Sequence, residues 1–497
     1  MAERSAIVVG GGLAGMVIAR ELGLRRWRVV LLEKSKRLGG KAGADIQNGR
    51  LVEHGYHVFP KWYPNVRAIV DRIGAGLIDF DRYHYLLRGR YPHKTTVLAP
   101  TGFGAMWHNT FRGILPWYHN VLYNYSVLDM ISRPLSEKSY LDRVSQLGLL
   151  RGKWYASERV AVFAQEQVLK ASAIPVYDLS AMTAKRVASY WVRQATPFLS
   201  VLAGNLQTEF IDPQTRELEA LGVEIRHECE VARVRMREGR VAAVETQDGA
   251  AIAADAFALC TPFEVTRKWL DDELYAADPE LGNLHYLEAQ PMAALHLRLR
   301  NPLPELPREH LFFHASRYAL SAIEVGRLWG ENDKEPHLSF ISSDYAPLNE
   351  VSEPRAKDLL LDEIRQYLPI TPADVTDWEI NPNVNVPLFI NTIGAWPNRP
   401  RGKTAVPNLY LAGDYVKNAI DLACMEGAVS SALDTAGDML RDAGESGPLP
   451  GAVIPPEMSR ALTVALRIAL IPAVAAARGI AWVEETVSPG RRPQNRT

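Results

Sequence analysis

Cysteine is scarce: Cys229, Cys260 and Cys424 are the only three in 497 residues, and no two stand in a C-x-x-C pair. That spacing argues against a zinc site or a disulfide framework, expects the thiols to be small buried apolar residues, and fits a reducing cytoplasm. Net charge is equally scarce. With 56 basic against 57 acidic residues, no electrostatic footprint for nucleic acid is expected. No uninterrupted apolar run reaches ~18 residues, which argues against a membrane-spanning helix. Only Met1 to Arg4 precede the first strand pattern, too few for a secretory leader.

What is present begins at residue 6. A strand over 6–9 runs into the turn Gly10-Gly11-Gly12-Leu13-Ala14-Gly15, a helix over 16–24 follows, and a second strand over 28–32 ends on Glu33. Each residue type has a physical reason. Gly10 permits the sharp turn, Gly12 lets backbone amides approach a pyrophosphate, and Gly15 lets the helix pack on the sheet. The helix N-terminus offers unpaired N–H groups to phosphate, and Glu33 stands where a carboxylate accepts from ribose hydroxyls.

The next residues, Lys34 and then Arg37-Leu38-Gly39-Gly40-Lys41, add cations and two more glycines that an NAD site does not need. Here the chain resembles the FAD-dependent amine oxidoreductase superfamily, whose glycine turn continues into a double-glycine loop. Lys41 is commonly arginine there. It keeps the charge but not the planar fork, a departure shared with the plant-type carotene desaturase branch. Gly55-Tyr56-His57-Val58-Phe59 with Tyr63-Pro64-Asn65 resembles plant-type phytoene and zeta-carotene desaturases. That resemblance implies a position for His57 near the flavin ring. On its own chemistry His57 is equally a hydrogen-bonded structural histidine. His54 stands where that branch usually has a small or hydroxyl residue.

A second signal closes the chain: a strand over 408–412, then Gly413-Asp414, then a helix from Met425 through Glu426-Gly427-Ala428. Its N-terminus favours negative charge on the reduced flavin pyrimidine. By resemblance Asp414 lies by the ribityl and pyrophosphate chain, the Met425 amide meets the ring, and Val231 offers backbone groups to the adenine. The implied FAD contacts are Gly10, Gly12, Leu13, Ala14, Gly15, Glu33, Lys34, Arg37, Gly39, Gly40, Lys41, His57, Val231, Gly413, Asp414, Met425, Gly427 and Ala428, with no metal. Amine oxidases usually carry an aromatic residue just before Met-Glu-Gly-Ala. Cys424 stands there, as a small residue does in plant-type desaturases, and that resemblance implies a place in the pocket of an apolar, uncharged substrate; no cation beside it would lower its pKa for covalent flavin attachment.

The expected fold is α/β: a Rossmann-type FAD-binding domain with an inserted substrate or cap domain of mixed sheet and helices. The FAD domain takes residues 1–75, 206–270 and 396–445, a helical cap 76–205, and a mixed sheet 271–395. Helical patterns cover 157–202, 206–221 and 357–368, strands 295–299 and 338–342, and a proline-rich loop 301–308. The aromatic stretch 107–125 is either a membrane interface or tunnel mouth, or the core of the cap. Residues 452–485 form an apolar helix kinked at Pro472, with Arg460, Arg467, Arg478 and Glu485 along one line. It either lies in a membrane interface, with Trp482 as anchor, or docks on the protein; 486–497 is expected to be a disordered tail.

By resemblance the reaction is hydride transfer from an allylic carbon of an isoprenoid to flavin N5, leaving a double bond. No acid–base pair stands out, which suits it. Quinone or oxygen is the expected electron acceptor, a peripheral contact on the inner face of the membrane the expected location, and no nucleic acid is expected. A flavin amine oxidase, a polyisoprenoid isomerase or dehydroxylase, and an FAD-bearing scaffold without turnover are the rivals.

Overall fold

The computed structural model describes residues 4–487 except 101–102, 136–139, 195, 332–334 and 386. A five-stranded parallel sheet carries the glycine turn. Ser5–Val9 lies between Arg28–Leu32 and Ala256–Leu259, with Glu224–Arg226 and Leu409–Leu411 outermost. The three central strands are almost wholly apolar because both faces are covered. On one face, Leu13–Gly23 and Met425–Asp442 pack through Met16, Val17, Val429 and Ala432. On the other lies the antiparallel meander Val231–Arg237, Arg240–Thr246 and Ala251–Ile252. The hairpin Ala44–Gln47 and Arg50–Glu53 turns on Asn48 and Gly49, both at positive φ (51° and 76°), the geometry that an Asn-Gly pair provides.

A second, mixed sheet of seven strands runs Val375–Pro382, Ala293–Leu299, His337–Ser342, Leu320–Glu324, His310–Phe313, Arg82–Leu86 and Lys94–Leu98. Alternation divides its side chains. Leu295, Leu311, Phe313 and Phe340 face the helix Glu353–Ile364. Tyr83, Tyr85 and Phe312 face the opposite way, toward Phe163 of the helix Glu158–Ser172.

Several expectations are corrected. Residues 76–205 are not helical throughout: Arg82–Leu86 and Lys94–Leu98 complete the large sheet. Leu199–Leu202 is a strand paired with Leu77–Phe80, not the end of a helix. Pro197 lacks an N–H and holds Thr196 out of the helical region, so the helix Ala181–Arg193 cannot continue. The first helix starts at Leu13 rather than residue 16, and the one read over 357–368 spans Glu353–Ile364. That over 206–221 is a π-helical turn, Gln207–Ile211, leading into Asp212–Ala220.

The C-terminal segment is two helices, Arg460–Ala469 and Ile471–Val487, bent by 52°. Pro472 has no N–H for the carbonyl four residues back, which breaks the run. The second helix docks on Trp117–Ile131 through Val474, Ala477 and Ala481. Thr486 and Val487 belong to it, and the tail from residue 488 lies outside the described residues.

Candidate active site

The glycine turn is shaped by three different constraints. Gly10 sits at φ 102°, and a Cβ there would lie 2.8 Å from the Cys260 carbonyl oxygen. A Cβ on Gly15 would lie 1.9 Å from the Gly10 carbonyl oxygen, so the helix rests directly on the turn. Gly12 differs: its Cβ position has nothing within 4 Å, and no side chain caps the helix it begins. The N–H groups of that first turn are thus left without a side-chain cap. Gly39 (φ 120°) and Gly40 (φ 54°) bring the second loop against it, with the Gly39 N–H donating to Gly11 O at 2.8 Å.

Glu33 is buried, accepting from the Gly11 N–H (2.7 Å) and the Ser35 N–H (2.8 Å). Each oxygen keeps a lone pair for a further donor. Lys34 and Arg37 are exposed beside it, whereas Lys41 reaches away to donate to the Pro387 carbonyl at 2.6 Å. Val231 is buried at the start of its strand, packed with Leu32 and two residues beyond Cys229, whose N–H donates to Glu33 O.

The far end closes on the same sheet. Gly413 (φ 151°) donates to Ser431 Oγ at 3.0 Å, tying the strand end to the helix Met425–Asp442. Cys424 caps that helix, its sulfur accepting from the Gly427 N–H at 3.4 Å, and it also meets the Tyr63 hydroxyl. Burial pushes its thiol up to about 12, so it is held as a neutral thiol. Ala428 follows in the first turn, bonded to Cys424 O.

Three residues carry roles that the sequence did not announce. Glu426 is fully buried and accepts from the N–H groups of Asn65 (3.0 Å) and Val66 (2.9 Å), capping the helix Pro64–Ile73. This contact explains why the Tyr-Pro-Asn and Met-Glu-Gly-Ala stretches belong together. Arg399, 1% exposed, donates to the carbonyls of Asp414 (3.0 Å), Tyr415 (2.8 Å) and Val416 (2.8 Å), and pairs with buried Asp421. It holds the loop between Gly413 and Met425 from behind. Glu264 leaves both carboxyl oxygens without a partner; burial pushes its pKa up, Asp414 adds to this, and Lys41 opposes it. Its place just past the carboxyl end of Ala256–Leu259, where ligands of parallel sheets bind, was the available signal.

His57 lies on the side of the large sheet. Its Nδ1 donates to Gly55 O at 2.8 Å, and burial lowers its pKa to about 4, leaving a neutral ring with Nε2 free to accept. It borders a cavity of about 20 Å³ with Glu53, Tyr56, Val201, Ile323 and Trp329. Burial raises Glu53 to about 8, so this acid is protonated near neutrality. Tyr56 donates to Ser321 Oγ at 2.8 Å and touches His310. Beyond them stand stacked rings: Tyr83 on Phe198 (4.3 Å) and edge-on to Phe312 (5.1 Å). His54 is held near Asp45 at 3.5 Å.

An open helix N-terminus, a buried ribose-type carboxylate and two abutting glycine loops fit a dinucleotide. The description "flavin containing amine oxidoreductase" matches residues 13–440. The chain belongs to that family. This amine oxidoreductase is an FAD-dependent enzyme. It is 23% identical over 465 residues to 15-cis-phytoene desaturase of Synechococcus elongatus, covering 86% of this chain and 94% of that one. The Solanum lycopersicum 15-cis-phytoene desaturase is 23% identical over 451 residues, covering 86% and 76%. Nicotine dehydrogenase of Pseudomonas putida is 30% identical over only 155 residues, 29% of this chain and 31% of that one. In fold, this amine oxidoreductase is similar to a putrescine oxidase triple mutant (TM-score 0.68, 16% identity, 88% of this chain and 99% of that one).

Proposed function

We propose that this enzyme introduces a double bond into a hydrophobic, uncharged isoprenoid of the carotenoid type. The observation that carries the reading is similarity to 15-cis-phytoene desaturases along 86% of the chain. The aromatic wall of Tyr83, Phe198 and Phe312, and a neutral thiol at Cys424 in place of an aromatic residue, support it.

The residues that would hold FAD are the open turn Gly12-Leu13-Ala14, Glu33 toward the ribose, and Gly39 and Gly40. Asp414 would lie along the ribityl chain and the Met425–Ala428 turn beside the pyrimidine. Bound FAD supplies the hydride acceptor. The helix beginning at Met425 favours negative charge there. Rings and aliphatic side chains exclude water and orient a polyene, while the neutral acceptor Nε2 of His57 and protonated Glu53 are polar groups of the adjoining small cavity. Electrons leave to quinone or oxygen, and a lipophilic substrate makes a peripheral contact on the cytoplasmic face of a membrane part of the same reading.

The test is product mass. Purified holoenzyme incubated with a polyisoprenoid hydrocarbon extract and a quinone should yield product two hydrogens lighter per turnover. Unchanged mass with a shifted double bond assigns the isomerase reaction instead. Rapid flavin bleaching by amines, with none by the extract, assigns an amine oxidase and overturns the proposal.

A further inference from the structure

We propose that the cavity beside His57 holds one ordered water, and that His57, acting through this water, takes the proton that leaves the substrate. The proposal rests on the double-bond-forming reaction and supplies the group that completes its proton balance.

The cavity measures about 20 Å³, room for one water. Most of its wall is aliphatic, from Val201, Leu202, Ile323, Val325 and Leu328. Three ionisable side chains interrupt that wall, and the bonds each already makes fix what it can still offer. The Tyr56 hydroxyl is taken by Ser321 and His310. Glu53 accepts the Leu206 N–H on Oε1 at 2.6 Å, and burial keeps its carboxyl protonated, so Oε2 carries a proton to donate. His57 gives its Nδ1 proton to Gly55 O at 2.8 Å, which leaves Nε2 with its lone pair. One donor and one acceptor across a water-sized space are what a single water needs to be held.

Glu53 and His57 come together because Gly55, at φ 152°, turns the chain between them. A Cβ on Gly55 would lie 3.3 Å from Ile341 Cδ1, so the turn is pressed onto the large sheet. Phe198 joins this cavity to the aromatic wall: it packs against the cluster of Tyr56, Val201 and Ile323, and it stacks on Tyr83 at 4.3 Å.

Forming a double bond removes a hydride and a proton from neighbouring carbons. The hydride goes to the flavin. The electron pair of the second C–H bond becomes the new π bond as its proton passes to the water oxygen, and the water gives one of its own protons to His57 Nε2. Burial lowers the His57 pKa to about 4, with the bond to the Gly55 carbonyl opposing this and the His54 ring adding to it. Such a base stays free near neutrality, and a C–H bond beside an allylic cation is acidic enough to need no stronger one. The Glu53 O–H orients the water; a carboxylate in its place would pair with the imidazole and hold it protonated. Surroundings that push an acid up to about 8 and a base down to about 4 across one cavity assign the two roles.

Anaerobic mixing of full-length holoenzyme with a linear polyisoprenoid hydrocarbon in detergent, read by flavin bleaching, tests this. His57→Ala should retain FAD but bleach about 100-fold more slowly. Added imidazole should raise that rate at least about tenfold, because it returns a base to the place of the ring; a merely structural role leaves no such rescue. His57→Gln, which fills the place without a base, should bleach as slowly as His57→Ala. Glu53→Leu should slow bleaching about tenfold and Glu53→Gln less than about threefold, since the amide still donates. Parent-like bleaching by either His57 variant, slow bleaching in His57→Ala that imidazole does not raise, or a Glu53→Leu protein as fast as the parent would each overturn the proposal. The mass of the parent's product decides the reading beneath it: two hydrogens lighter retains double-bond formation even where the variants speak against His57, whereas an unchanged mass removes both.

Discussion

Replacing Arg399 by methionine strikes the loop that follows Gly413. The guanidinium is 1% exposed and donates to the carbonyls of Asp414, Tyr415 and Val416 while pairing with Asp421, itself 1% exposed. Breaking a buried ion pair from one side costs about 3–5 kcal/mol, because the remaining charge is left uncompensated. Asp421 is partly protected: Arg186 lies 3.0 Å away, and Thr183 and Asn391 donate to it at 3.0 and 3.1 Å. The three carbonyls lose their donor, at about 1 kcal/mol or more each where water cannot reach. The balance points to about 4 kcal/mol, a large part of the roughly 5–15 kcal/mol that holds a typical fold. Urea unfolding read by tryptophan fluorescence measures the stability, and release of flavin fluorescence below the unfolding midpoint reads the loop. The double variant R399M/D421N should recover part of the loss by removing the stranded carboxylate. An R399M protein within about 0.5 kcal/mol of the parent, retaining its flavin as tightly, would refute the role of Arg399 as the clamp on this loop.

Gly12→Ala and Gly15→Ala separate cofactor space from packing space: the former should fold with unchanged urea midpoint but lose FAD on gel filtration, and the latter should lose both. Glu53, raised to about 8 by burial from an ordinary 4.5, keeps a proton in the folded state that the unfolded chain releases. Its stabilising contribution is therefore complete below pH 4.5 and declines through pH 8, by at most about 1.4 kcal/mol per pH unit. Glu53→Gln should flatten the fall in urea midpoint between pH 5 and 8, and an unchanged pH profile refutes this. Because the Cys424 thiol is pushed up to about 12, acid precipitation should release all the flavin, and iodoacetamide at pH 8 should leave Cys424 unmodified in the native protein.

The two ends of the flavin domain are legible in the sequence because they are local. A glycine that must take positive φ, a strand that must be apolar on both faces and a helix start that must stay uncapped each leave their mark within a few residues. Arg399 and Glu426 act through partners brought to them by the fold and Glu264 through the absence of one, so their roles are not written in local pattern, although Glu264 follows a strand end and Glu426 stands within a motif. The strand Leu199–Leu202 was hidden because its apolar run also satisfies a helical pattern; only its pairing with Leu77–Phe80 decides the matter. The large sheet gathers Arg82–Leu86 beside His310–Phe313, a pairing across nearly half the chain that no local periodicity encodes.

The bond from Asn65 to Glu426 spans 361 residues, and the outermost strand Leu409–Leu411 reaches Ala256–Leu259 only from the last fifth of the chain. A ribosome making this chain has therefore delivered nearly all of it before the first glycine turn acquires its opposite wall. Until then Ala256–Leu259, wholly apolar, is an unpaired sheet edge, and the helix Pro64–Ile73 waits for its cap. Prematurely ended chains should thus be sticky and flavin-free, and the yellow colour of bound cofactor becomes a sign that translation ran past Ser431.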